Sequence, residues 1–123
     1  MRKVLVFSAV AEFLTGLALL ADPALVVRLL VGGETAGAGL VAARAFGVAL
    51  LALSVACWPG QPPAPIGRPP FRGMLVYNAL IALYLAGLGT VAHMEGTLLW
   101  PAALLHTLVA VALVWAARRP SPA

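Results

Sequence analysis

Four long apolar runs divide the chain, and each is interrupted near its middle by a strongly polar or ionisable side chain. The runs cover residues 4–20, 36–58, 71–91 and 97–117, and the interruptions are Glu12, Arg44, Asn78 and His106. Runs of roughly 17–23 residues, at a helical rise of about 1.5 Å each, match a hydrocarbon core about 30 Å thick. Lipid admits only helices or closed barrels as spanning structures. Barrel strands alternate apolar and polar residues, and these runs do not. A soluble bundle would carry polar outer faces, whereas residues 79–88 are almost all apolar and residues 108–117 entirely so. The pattern therefore predicts an all-α fold: a transmembrane four-helix bundle forming a single membrane domain over residues 1–123.

Composition strengthens this reading. The chain has 123 residues, of which 63% are hydrophobic and 10% charged, against roughly a quarter charged in soluble domains. A net charge of +4 raises nucleic acid as a partner, but the distribution of charge points to a membrane. Arg2, Lys3, Arg68, Arg72, Arg118 and Arg119 lie at the N-terminus, the middle connection and the C-terminus, where there is no Asp or Glu. The other two connections hold Arg28, Asp22, Glu34 and Glu95. This asymmetry places both termini in the cytoplasm by the positive-inside rule, which an even number of spans allows. Trp58 and Trp115 then mark the inner interface and Trp100 the outer one. The expected partners are the lipid bilayer and anionic head groups, with no nucleic acid. Arg2-Lys3 followed by an apolar run also resembles a signal peptide, but Glu12 within that run argues against it.

The connections carry local signals. Asp22-Pro23 reads as a helix cap with proline in the first turn, so residues 24–31 are expected either to form a short interfacial helix on the outer side, ended by Gly32-Gly33, or, being apolar apart from Arg28, to extend into the bundle mouth. The connection over residues 59–70 holds Pro59, Pro62, Pro63, Pro65, Pro69 and Pro70, and is expected to be an extended, stiff linker.

Small residues recur beside the polar interruptions: Ser8, Glu12 and Gly16 on the first helix, and Gly39, Ala43 and Gly47 next to Arg44 on the second. Asn78, Ala82 and Ala86 follow on the third, with Ala102, His106 and Ala110 on the fourth. Small residues let helices approach closely in lipid, so these rows predict one inward-facing polar cluster. Counted from the inner helix ends, Asn78 lies about 10 Å deep, Glu12 about 12 Å, His106 about 16 Å and Arg44 about 20 Å, so a ladder through the bundle is the alternative to a compact site. Glu12 is expected to pair with Arg44, or to take a proton or hydrogen bond from His106. Tyr77 and Tyr84, seven residues apart on one face, offer further hydroxyls.

Two roles lead for such a cluster, and acid–base catalysis is a third reading that leaves enzyme activity open. The cluster holds the helices in register as part of a structural or accessory component, in a homo-oligomer or a membrane complex. Alternatively it binds a small lipophilic or anionic ligand, such as a quinone, with Arg44 as anchor and with possible proton coupling through Glu12 and His106. Catalytic signatures do not emerge: Gly32-Gly33 and Gly37-x-Gly39 lack the strand and lysine of a phosphate loop, and no HExxH, CxxC or Ser–His–Asp pattern occurs. Cys57 has no second cysteine to pair with, and His93 and Glu95 read as residues of an interfacial connection. No catalytic residue, metal or cofactor is expected.

The stretches AEFLTGLALLADPALVVRLL, ARAFGVALLALSVACW, YNALIALYLAG and LLWPAALLHTLVAVALVW resemble the DoxX-like group of small bacterial four-helix membrane proteins. The resemblance spans nearly the whole chain and rests on Glu12, Arg44, Asn78 and His106. It implies a multi-pass protein of the bacterial inner membrane. It also implies an association with quinol oxidation or with thiol and sulfur redox systems; one cysteine leaves no pair for thiol exchange, so the quinone-related accessory role is the one retained.

Overall fold

The computed structural model describes residues 2–60 and 69–118. Its elements are α1 (Arg2–Ala21), α2 (Pro23–Val31), α3 (Ala38–Ala56), α4 (Pro69–Thr90) and α5 (Leu99–Arg118). Residues 61–68 of the proline-rich connection, and Arg119 of the C-terminal basic pair, lie outside the described residues.

All but α2 are long and apolar enough to cross a membrane. Their outward surfaces suit lipid: Leu80, Leu83, Leu104, Val111 and Val55 are each 59–72% exposed. In water such a surface would be a large aggregation-prone patch; in a bilayer it is solvated. The chain is thus an all-α, multi-pass membrane protein.

The short α2 follows from local chemistry. The Asp22 carboxylate accepts the Leu25 backbone N–H at 3.0 Å, and Pro23 occupies the first turn, where its missing N–H costs nothing. Gly32 ends the helix in the left-handed region at φ 80°, its N–H reaching the Arg28 carbonyl at 2.9 Å. At nine residues, α2 is too short to span. It lies across the end of the bundle where α1 finishes, here called the distal end. Its last turn meets the α4–α5 connection: Leu98 N–H donates to the Leu29 carbonyl at 2.8 Å, and a Cβ on Gly96 would collide with the Leu30 backbone.

The spanning helices associate as two antiparallel pairs, α1 with α3 and α4 with α5. In the first pair, a Cβ on Gly16 would stand 2.8 Å from the Gly47 carbonyl oxygen, and one on Gly47 would stand 2.9 Å from that of Gly16. Glycine at both positions therefore permits backbone-to-backbone packing. In the second pair, the Trp100 ring lies against the Gly89 backbone. The two pairs share one core at the basal end, built from Leu5, Ala9, Cys57, Phe71, Met74, Val109 and Leu113. The distal core of Leu85, Leu99 and Ala103 comes from α4 and α5 alone.

Candidate functional site

Between the two pairs lies a compact layer of polar side chains. Glu12 and Ser8 come from α1, Tyr77 and Asn78 from α4, and His106 from α5. Ser8 and Glu12 are one helical turn apart, so both face the same neighbour. Asn78 is 1% exposed, Ser8 1% and Glu12 3%. Burial this complete demands hydrogen-bond partners, and the layer supplies them.

Asn78 is its centre. The amide nitrogen donates to the Met74 carbonyl at 2.8 Å and to Ser8 Oγ at 3.1 Å. Asn78 Oδ1 and His106 Nδ1 are 2.9 Å apart. These contacts fix the protonation of the imidazole. The Met74 carbonyl can only accept, so the amide nitrogen must face it and Oδ1 must face His106. Oδ1 can also only accept, so Nδ1 carries the proton. A neutral His106 is therefore the Nδ1–H tautomer, with its lone pair on Nε2. That nitrogen has no hydrogen-bond partner among the described residues. No enclosed side-chain nitrogen or oxygen there lacks one, so Nε2 reaches the accessible surface; the His106 side chain is 14% exposed.

Glu12 closes the layer. Tyr77 Oη donates to Glu12 Oε2 at 2.9 Å. Oε1 lies 3.7 Å from His106 Nδ1, an ion pair only when the ring is cationic. The Tyr77 and His106 rings meet edge to face, with centroids 5.7 Å apart and planes at 82°, the arrangement favoured by the ring quadrupole. Chemically the layer is a hydrogen-bonded chain from Ser8 through Asn78 to His106, flanked by the Glu12–Tyr77 pair.

Glu12, Asn78, His106 and Tyr77 thus meet, whereas Arg44 and Tyr84 stand apart. Arg44 is exposed on α3 and makes no hydrogen bond or ion pair with any described residue, so the expected Glu12–Arg44 pair does not form. Register explains this. Gly16 and Gly47 touch; Glu12 lies four residues to the basal side on α1, and Arg44 three to the distal side on α3. Seven residues amount to roughly 10 Å along the bundle. Tyr84 is 63% exposed. Seven residues place it on the same face of α4 as Tyr77, but of the two only Tyr77 meets a hydrogen-bond partner on α1 among the described residues, and the distal core cluster has no contribution from α1. Ser8 was visible in the sequence as a small residue one turn before Glu12, and its polar role emerges only from the placement of α4.

No three His, Cys, Asp or Glu side chains converge among the described residues. Cys57 is buried in the basal core, its sulfur 3.2 Å from where a Gly73 Cβ would stand. His93 takes a left-handed backbone conformation after α4, with φ 52°, and is exposed. Two depressions lie among the described residues. One, of about 290 Å³, is bordered by Asp22, Arg28, Glu34 and Thr35 at the distal end. The other, of about 530 Å³, is an apolar groove between α1 and α3. Comparison with family models, with curated proteins and with solved structures finds no match to this chain.

Proposed function

We propose that this chain is a structural or accessory component of a bacterial inner-membrane assembly, with both termini in the cytoplasm. In this reading the polar layer is the latch between its two helix pairs. The observation that carries it is the placement of the side-chain hydrogen bonds between helices among the described residues. Each one links α1 to α4 or α4 to α5 within this layer. Apolar packing discriminates poorly between helix faces in lipid, because the tails are as apolar as leucine. A polar layer therefore supplies the register that oily surfaces lack. The basic residues flanking α1, α4 and α5 support the orientation, and the resemblance to DoxX-like proteins supports the bacterial setting.

A second reading rests on one specific observation, the Nε2 of His106, which has no hydrogen-bond partner among the described residues. A small lipophilic ligand bearing a hydroxyl or carbonyl, such as a quinone, would find a hydrogen-bonding atom there with Glu12 close behind it. In-membrane cross-linking followed by mild-detergent purification separates the two. A defined oligomer or complex carrying no small molecule supports the accessory reading. A monomer that retains a lipophilic compound, and loses it in His106→Ala, overturns that reading in favour of the second. Reporter fusions at each terminus test the orientation.

A further inference from the structure

Gly16 and Gly47 touch, and seven residues toward the basal end from each bring Ala9 on α1 level with Ser54 on α3. Both line the apolar groove of about 530 Å³, with Val10 and Phe13 from α1 and Val55 and Trp58 from α3. Phe13 stands at the distal limit of the groove. Trp58, four residues basal of Ser54 and so about 6 Å further along, bounds its basal mouth. Just below that mouth α1 carries two cations. Arg2 precedes Ala9 by seven residues and Phe13 by eleven, and Lys3 precedes Val10 by seven. Spacings of seven and eleven are close to two and three helical turns, so both cations sit on the stripe of α1 that forms the groove wall. Both are exposed, and neither forms an ion pair with a described residue. Arg72 and Arg118, at the same end of the bundle, are also basic. The eleven residues from Arg2 to Phe13 rise about 16 Å, close to the half-thickness of a hydrocarbon core about 30 Å deep. The two cations and the groove above them therefore belong to one leaflet.

We propose that the basal end of the α1–α3 pair binds an anionic phospholipid, with its phosphate held by Arg2 and Lys3 and one acyl chain lying in the groove from Trp58 toward Phe13. The Arg2 guanidinium is a planar fork of donors that matches two phosphate oxygens at once, and the Lys3 ammonium adds a point charge beside it. Their long stems cover apolar surface while the charged ends stay at the level of the head groups. A zwitterionic head would bring an ammonium beside two cations; an anionic head brings only the charge they lack. The small Ala9 and Ser54 side chains leave room in the groove, and the larger Phe13 and Trp58 flank it. Trp58 carries the amphipathic ring that settles at a membrane interface. The site uses no residue of the polar layer and does not depend on which side of the membrane the basal end faces, so it stands or falls independently of the latch and of the orientation.

Trp58 lies at the mouth of the groove and within about 5 Å of the level of both cations, so it reports on the site directly. In a Trp100→Phe, Trp115→Phe background, its fluorescence is followed in phosphatidylcholine vesicles containing a small fraction of phospholipid brominated along the acyl chain, with either a phosphatidylglycerol or a phosphatidylcholine head. Both leaflets have the same composition, so the direction of insertion does not affect the signal. The expected result is preferential quenching by the anionic lipid, by roughly fivefold to thirtyfold in apparent affinity, each basic residue at an anionic surface contributing about fivefold. The double variant Arg2→Gln, Lys3→Gln abolishes the preference. The charge-matched double variant Arg72→Gln, Arg118→Gln, on α4 and α5, keeps it. Circular dichroism on the same samples verifies that the helices remain. Equal quenching by both lipids, or a preference that survives in folded Arg2→Gln, Lys3→Gln, overturns the proposal. Equal loss in the two double variants also overturns it, because the basal charge as a whole would then attract the lipid rather than this groove. Loss of the preference on adding inorganic phosphate at constant ionic strength does the same, since the site would then take the free anion.

Discussion

Asn78 Oδ1 and His106 Nδ1 lie 2.9 Å apart, and the other end of the same amide holds Ser8 on α1. One side chain therefore ties α4 to both its antiparallel partner and the opposite pair. The His106 tautomer follows from that amide, because the Met74 carbonyl leaves it a single productive orientation.

Removing this tie has a measurable cost. Asn78→Ala loses two interhelical bonds, each worth about 0.6 kcal/mol on average and up to about 1.7 in lipid. The expected destabilisation is about 1–3 kcal/mol, read by reversible unfolding in mixed micelles. Unchanged stability would show that the layer does not hold the pairs together.

Glu12 and Tyr77 are expected to be coupled. A cycle of Glu12→Gln, Tyr77→Phe and the double variant isolates their 2.9 Å hydrogen bond. The coupling energy should reach about 0.5–1.5 kcal/mol. Strict additivity of the two single changes contradicts direct contact.

The glycine pair gives a steric test with an internal control. In Gly16→Ala the new methyl meets the Gly47 carbonyl, a backbone atom that cannot step aside. A loss of about 1–3 kcal/mol is expected, as in overpacked cores. Gly87→Ala on α4 meets nothing within 4 Å, and should be neutral or slightly stabilising through helix propensity. Equal effects at both sites would rule out the close α1–α3 approach.

Arg44→Leu tests whether the bundle uses that charge internally. With no partner among the described residues, stability in neutral detergent should change by less than about 0.5 kcal/mol, as for a surface substitution. A large loss would place Arg44 in a pair after all.

The sequence by itself determined the spanning helices, since a run of twenty apolar residues has one stable form in lipid. The short capped α2 was equally legible, because Asp22, Pro23 and Gly32 act within a few residues of themselves. Depth along each helix is also one-dimensional information. It set Glu12 and Asn78 at nearly the same level and left Arg44 the furthest from them. Which helix lies beside which is different, because apolar surfaces in lipid discriminate weakly. Only the tertiary structure decided that α1 pairs with α3 and α4 with α5. The Gly16–Gly47 contact sets the register that carries Arg44 out of reach of Glu12. Tyr77 and Tyr84 look alike on α4, and they differ in the fold: Tyr77 reaches Glu12 on α1, whereas Tyr84 is exposed. A polar residue inside a membrane run announces that a partner is needed; the partner's identity depends on interhelical register, which no single helix encodes.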